Sequence, residues 1–83
     1  MNRETCTLAA LSVGESGVVC ALDTDDAMRR RLWDMGMVEG TSVQCLFRAP
    51  SGDPTAYAVR GAVLALRRRD AAAVTLCREA VTG

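Results

Sequence analysis

Residues 28–41, MRRRLWDMGMVEGT, contain both a helix signal and the turn that ends the helix. Three apolar side chains in this stretch fall at i, i+4 and i+7 and so share one face of an α-helix: Met28, Leu32 and Met35. Gly36 follows directly and suits the left-handed conformation in which helices commonly end. We therefore predict one helix, from about Asp26 to Met35.

The start of this helix is marked by the acidic stretch DTDD, residues 23–26. The side chain of Asp23 or Thr24 can accept hydrogen bonds from the first helical N–H groups. Asp25 and Asp26 then lie at the positive end of the helix dipole, where carboxylates are favourable.

Short apolar segments separated by turn residues surround the helix. The predicted strands are residues 7–11, 17–22, 41–48, 55–59, 62–67 and 73–77. Arg60-Gly61 is predicted as a tight hairpin turn, because Gly accepts a positive φ. Residues 68–71 are predicted as one helical or 3₁₀ turn. Closely spaced turn signals of this kind indicate a small, mainly β barrel or sandwich, with the helix after its second strand.

Composition excludes several classes of function. The 83 residues form one domain, with ten Arg, no Lys and no His against ten acidic residues, so the formal net charge is zero. Without His, this chain cannot assemble a Ser/His/Asp or Cys/His catalytic site or a zinc site that uses His. Without Lys it has no phosphate-binding loop of the GxxxxGK[ST] type. A neutral chain also lacks the net positive charge of a general nucleic-acid binder.

The four cysteines, at positions 6, 20, 45 and 77, contain no CxxC pair. The spacing gives little support to a structural metal site. A secreted scaffold with two disulfides stays open, but the N-terminal residues do not resemble a signal peptide and no apolar run reaches membrane-spanning length. We therefore expect four reduced, largely buried thiols in the cytoplasm. A thiol enzyme is a further alternative, and it requires a cysteine with a lowered pKa.

Four segments resemble, in order and spacing, the motifs of the FeoA family. Residues 28–41 are similar to its helix and turn, RRRL-x-D-L-G-(apolar)-x-x-G. Residues 48–54, RAPSGDP, are similar to its APxGDP loop, and residues 60–67 to its hairpin, G-x-x-L-A-L-R. Residues 11–17 are similar to its opening, L-xx-G-xx-G, and the resemblance extends over about residues 8–76.

Two residues depart from the family pattern. Trp33 stands where an aliphatic residue is usual, and Glu39 stands where the turn before Gly40 commonly has Pro. The first departure adds a large contact surface to the helix, and the second loosens the turn.

The resemblance implies a small SH3-like β-barrel of about five to six strands, with one short α-helix inserted after the second strand. It implies a single domain over residues 1–83, and we place its core at about 7–77 with frayed ends. It further implies a non-enzymatic, cytoplasmic accessory protein of ferrous iron uptake that binds the FeoB-type membrane transporter and modulates its GTPase or transport cycle. The alternative is the barrel module of a metal-dependent transcriptional regulator, although balanced charge and the lack of a recognition-helix pair disfavour direct DNA binding.

Six residues are candidates for the partner interface: Arg29, Arg30, Trp33, Arg60, Leu64 and Arg67. The run 29–31 can be a solvated face paired with nearby Asp residues, a partner contact, or a source of an arginine for a partner GTPase. With the run 67–69 it would form one basic patch if the two lie close together. Trp33 can be a core residue or an interface anchor.

We expect no metal site, no cofactor and no binding to nucleic acid. We expect contact with the membrane only through the partner, and self-association through edge strands stays open.

Overall fold

The computed structural model describes residues 5–77, which form one six-stranded antiparallel sheet. In chain order the strands are β1 (Thr5–Thr7), β2 (Ser16–Leu22), β3 (Ser42–Arg48), β4 (Thr55–Val59), β5 (Ala62–Leu66) and β6 (Val74–Cys77). Their order in the sheet is β1-β6-β2-β3-β4-β5, so β1 and β5 are edge strands and the sheet is not closed. The mainly β prediction, with one helix after the second strand, is confirmed. The expectation of frayed termini concerns residues that lie outside the described part.

Helix α1 (Asp26–Asp34) occupies the predicted position. Its cap is Asp25, whose carboxylate accepts a hydrogen bond from the Met28 N–H at 2.8 Å, so the prediction of Asp23 or Thr24 as the cap is wrong by one or two residues. Gly36 takes the predicted left-handed conformation, with φ of 94°. The helix is therefore held at both ends by the residue types that its sequence supplies for this purpose.

The predicted strand over residues 7–11 is wrong. β1 ends at Thr7, and Leu8–Ala10 form a 3₁₀ turn. Leu8 and Leu11 are both fully buried, and a spacing of three residues aligns side chains on one side of a 3₁₀ turn. Burial of these two leucines by one short segment therefore favours the turn over an extended strand, in which they would face opposite sides.

β4 and β5 form a hairpin whose turn is Arg60-Gly61, as predicted, with φ values of 52° and 82°. Beyond β5 a short helix, α2 (Arg68–Ala71), leads into β6. The core consists of apolar side chains from the strands, the 3₁₀ turn, α1, α2 and the segments that directly follow the 3₁₀ turn and α1: Leu8, Leu11, Val19, Leu22, Leu32, Met37, Val43, Cys45, Tyr57, Val59, Leu66, Ala71, Val74 and Leu76.

The structure contradicts the expectation of four reduced thiols. A disulfide joins Cys20 of β2 to Cys77 of β6, and their Cα atoms are 5.7 Å apart. Cys45 is buried and free, and Cys6 is half-buried and free. The pairing arises because β6 returns beside β2, a neighbour relation that the cysteine spacing alone does not reveal.

Candidate partner interface

The C-terminal end of α1 lies against the turn of the β4–β5 hairpin. A Cβ atom placed on Gly36 would lie 3.5 Å from Cδ of Arg60 and 3.7 Å from Cγ1 of Val59. The aliphatic stem of Arg60 therefore lies beside Gly36, just beyond the end of α1, where the free helical carbonyls favour a cation. The structure thus brings together two of the sequence motifs, the helix with its turn and the hairpin.

Trp33 lies on the exposed side of α1 and not in the core. Its side chain is 44% exposed, and its Nε1 donates a hydrogen bond to Oε1 of Glu39 at 3.2 Å. Trp33 and Glu39 are the two departures from the family pattern, and they are partners of each other. A single sequence offers no signal of this pairing, because the two residues are joined only when the chain reverses at Gly36.

Arg29 uses its guanidinium to hold the start of α1. One nitrogen pairs with Asp26 at 2.8 Å, and the other donates to the carbonyl oxygens of Thr24 at 2.9 Å and Leu22 at 3.4 Å. Arg30 is exposed and lies one helical turn before Trp33, so the two side chains are neighbours on the helix surface. Arg29 uses its charge within the chain, so of Arg29 and Arg30 it is Arg30 whose charge is available to a partner.

Leu64 and Arg67 lie elsewhere on the hairpin. Leu64 pairs across the ladder with Tyr57 and packs partly against the core. Arg67 follows β5 at the end opposite Arg60 and precedes α2. Arg60 lies beside Gly36 at the end of α1, and Arg30 and Trp33 lie on the exposed side of that helix; we call these three residues the helix–hairpin surface. Arg67 is separated from Arg60 by the length of β5.

The sequence suggested the arginine run 29–31 as a neighbour of the run 67–69, and the structure gives Arg48 as a neighbour instead. Arg68 lines a recess together with Arg48, the last residue of β3. Arg48 was not among the candidate residues, and its only sequence signal was its position at the start of the 48–54 loop motif.

Two exposed apolar side chains were also missed. Phe47 is 60% exposed and pairs across the ladder with Ala56, and Val63 is 64% exposed and pairs with Ala58. These pairs place both side chains on the outward face of β3, β4 and β5, since Tyr57 between the two alanines points into the core.

Within residues 5–77 no cluster of three or more His, Cys, Asp or Glu side chains is arranged to hold a metal ion. In the same range no helix is long and apolar enough to span a lipid bilayer.

These features define a class: a small antiparallel β domain of SH3-like type, with an exposed helix and hairpin that present arginine and an aromatic side chain. The chain belongs to the FeoA family, because the model of the FeoA domain matches residues 6–76.

Relatives with related names support this assignment. A fusion protein of Fe(2+) transport protein A and Fe(2+) transporter FeoB from Porphyromonas gingivalis is 31% identical over 67 residues, which is 81% of this chain. The chain spans only 8% of the length of that fusion protein. The solution structure of FeoA from Chlorobium tepidum is 33% identical and superposes with a TM-score of 0.85, covering 94% of this chain and 74% of that one.

Further structures confirm the fold. FeoA of Stenotrophomonas maltophilia, crystallised with zinc and described as a prokaryotic SH3 domain protein, is 33% identical with a TM-score of 0.72, over 86% of this chain and 88% of that one. A manganese-dependent transcriptional repressor superposes with a TM-score of 0.83 at 21% identity, over 95% of this chain and 44% of that one. At this identity the likeness to the repressor shows the fold alone.

Proposed function

We propose that this chain is a non-enzymatic accessory protein of ferrous iron uptake, located in the cytoplasm, which binds a FeoB-type transporter and modulates its GTPase or transport cycle. The observation that carries the proposal is the fusion relative, whose name joins transport protein A and the FeoB transporter in one polypeptide. Fusion holds two domains at a high effective concentration, so a contact of modest intrinsic affinity suffices there. Where the two domains are separate chains, the contact must bind without a linker.

The helix–hairpin surface is the contact that we propose. Its exposed Trp33 supplies apolar area with a polar tip, and Trp and Arg are the side chains most often found at the energetic centre of interfaces. Arg30 and Arg60 add positive charge, which fits an acidic patch on the transporter and gives the encounter an electrostatic component. Arg29, Leu64 and Arg67 extend the candidate surface along the helix start and the hairpin.

A titration against the soluble GTP-binding domain and against the full transporter in detergent tests the proposal. We expect a dissociation constant in the range of about tens of micromolar or tighter for at least one of them. Absence of binding to both at these concentrations would refute the partner assignment. Nucleotide hydrolysis measured with and without the bound chain then reports whether binding changes the GTPase cycle.

Matched variants locate the surface. Arg30→Ala, Trp33→Ala and Arg60→Ala are expected to weaken binding by about tenfold or more, since truncation of a central anchor costs about 2 kcal/mol. Arg69→Ala, which removes an equally exposed arginine from α2, serves as the control and is expected to bind like the parent. Arg67→Ala tests whether the contact extends along β5. Equal losses for Arg30→Ala and Arg69→Ala would indicate non-specific charge attraction instead of a defined surface.

A further inference from the structure

A polar recess lies at the end of the β4–β5 hairpin that is opposite its turn. It has a volume of about 310 Å³, and its lining residues come from the 3₁₀ turn, the end of β3, the 48–54 loop, β4 and α2: Ala9, Arg48, Gly52, Thr55, Tyr57 and Arg68. Thr55 pairs with Leu66 at this end of the hairpin, whereas Val59 pairs with Ala62 next to the turn. The recess is therefore separate from the helix–hairpin surface.

Two arginines, Arg48 and Arg68, border the recess. Nη2 of Arg48 donates to the carbonyl oxygen of Leu11 at 2.6 Å, which fixes the group and leaves most of its five N–H donors unused. The backbone N–H of Arg68 donates to Oδ1 of Asp53 at 2.8 Å, which holds the start of α2 against the loop. Within residues 5–77 neither guanidinium forms an ion pair, the one pair there being Arg29 with Asp26.

Two hydroxyl-bearing residues of β4 contribute to the lining of the recess. The side chains of Thr55 and Tyr57 are 7% and 2% exposed, and Oη of Tyr57 donates to the carbonyl oxygen of Leu8 at 3.4 Å. Burial is the main influence on the pKa of Tyr57 and raises it, and the negative charge of Asp53 raises it further. A hydrogen bond with Thr55 and the positive charge of Arg48 lower the pKa, but the net change is an increase. The phenol is therefore neutral at physiological pH, and its one O–H is engaged with the carbonyl oxygen of Leu8.

The lining has the chemistry of an anion site. Its charged members are both cationic, and Asp53, the nearest carboxylate identified by these contacts, lies outside the lining and is already bonded to the Arg68 N–H. Planar guanidinium forks match the paired oxygens of phosphate and carboxylate groups, and two of them match a doubly charged phosphate better than a singly charged carboxylate. The volume exceeds that of a phosphate ion and leaves room for a small attached group.

We propose that this recess binds a phosphate group, held between the guanidinium groups of Arg48 and Arg68 above the hydroxyl of Thr55. The phosphate comes either as the free ion or as part of a small phosphorylated metabolite. This site is independent of the transporter contact, because it uses none of the residues of the helix–hairpin surface.

The test is a titration of the isotope-labelled chain with inorganic phosphate, followed by amide spectra at constant pH and ionic strength. We expect saturable shifts confined to residues around 48–57 and 68–71, absent when chloride replaces phosphate. In unfolding experiments, phosphate at about 20 times its dissociation constant is expected to raise the folded-to-unfolded ratio about 20-fold. Shifts that do not saturate, or that chloride reproduces, would overturn the proposal.

Variants and a second ligand sharpen the result. Arg68→Ala is expected to weaken phosphate binding by about tenfold or more, because it removes a charge-assisted hydrogen-bonding group. Arg69→Ala, the adjacent arginine outside the lining, is expected to bind like the parent, and Arg48→Gln gives a second loss-of-charge variant. Equal affinity in Arg68→Ala and Arg69→Ala overturns the site. If ribose 5-phosphate binds more tightly than inorganic phosphate, the natural ligand is a phosphorylated metabolite. If inorganic phosphate binds more tightly, the ligand is the free ion. Acetate that binds as tightly as either of them contradicts the preference for phosphate.

Discussion

Arg60 occupies a backbone conformation that its side chain does not favour. Its φ is 52°, the one positive value for a residue other than glycine in the described chain. A left-handed residue with a Cβ atom costs about 1–2 kcal/mol, and Asn is preferred at the first position of such a hairpin turn. An arginine held there, with its stem on the end of α1, indicates that the side chain itself is useful.

We predict that Arg60→Asn is more stable than Arg60→Ala by about 1 kcal/mol, because Asn relieves the left-handed cost and Ala does not. Both variants lose the same aliphatic stem beside Gly36, so Ala is a matched control. Midpoints of urea unfolding give the difference. If the two variants unfold at the same urea concentration, the turn is not strained at residue 60. Both are expected to lose transporter affinity, which separates the role of the side chain from the stability of the turn.

Tyr57 makes stability depend on alkaline pH. Burial raises the pKa of its hydroxyl above the ordinary value of 10.0. Below this value the phenol is protonated in both states, and the contribution to stability is fully present. As the pH rises further the unfolded chain loses its proton first, so the free energy of unfolding falls by up to about 1.4 kcal/mol per pH unit until the folded pKa is passed.

We predict that Tyr57→Phe flattens this decline. The chain has no Lys, and every other ionisable group is the same in the two proteins, so the difference between them isolates Tyr57. Urea unfolding at intervals from about pH 8 to pH 11 measures both slopes. Parallel slopes would mean that the hydroxyl titrates alike in the folded and unfolded chains.

The helix is the element that its sequence predicts best, because every signal for it is local. Apolar spacing, an acidic start and Gly36 act within about a dozen residues, and α1 covers Asp26–Asp34. The 3₁₀ turn at Leu8–Ala10 was mistaken for a strand, because burial of Leu8 and Leu11 depends on partners far along the chain. The same limit applies to Trp33, whose exposure depends on where the rest of the chain packs.

The choice among several capping residues is also beyond the sequence, and it can be tested. We predict that Asp25→Ala lowers the free energy of unfolding by about 1 kcal/mol, since the Met28 N–H loses its acceptor. Asp23→Ala removes a carboxylate of the same kind two residues earlier and is expected to cost less than about 0.5 kcal/mol, as ordinary surface substitutions do. Thermal or urea unfolding compares them. A larger loss from Asp23→Ala would restore the original prediction.

At the scale of the whole molecule, a net charge of zero conceals two separate groups of arginines. One group is formed by Arg30 on α1 and Arg60 at the hairpin turn, where Arg60 lies beside Gly36. The other, Arg48 and Arg68, meets at the opposite end of the hairpin around the recess. The motifs predicted the fold because they mark its turns, but the sequence could not assign an arginine to either group. That assignment depends on the order of the strands, in which β6 lies between β1 and β2.

The same strand order places Cys20 beside Cys77 and gives a last prediction. Their disulfide joins positions 57 residues apart, so it restricts the unfolded chain strongly, and its loss is expected to cost about 2–4 kcal/mol. Urea unfolding of the parent with and without a phosphine reductant measures this cost. The double variant Cys20→Ser/Cys77→Ser is the control. Its urea midpoint is expected to equal that of the reduced parent and to be the same with and without the reductant. Four titratable thiols in the air-exposed parent, with a midpoint that the reductant does not change, would show that β2 and β6 are held by their ladder and by packing alone.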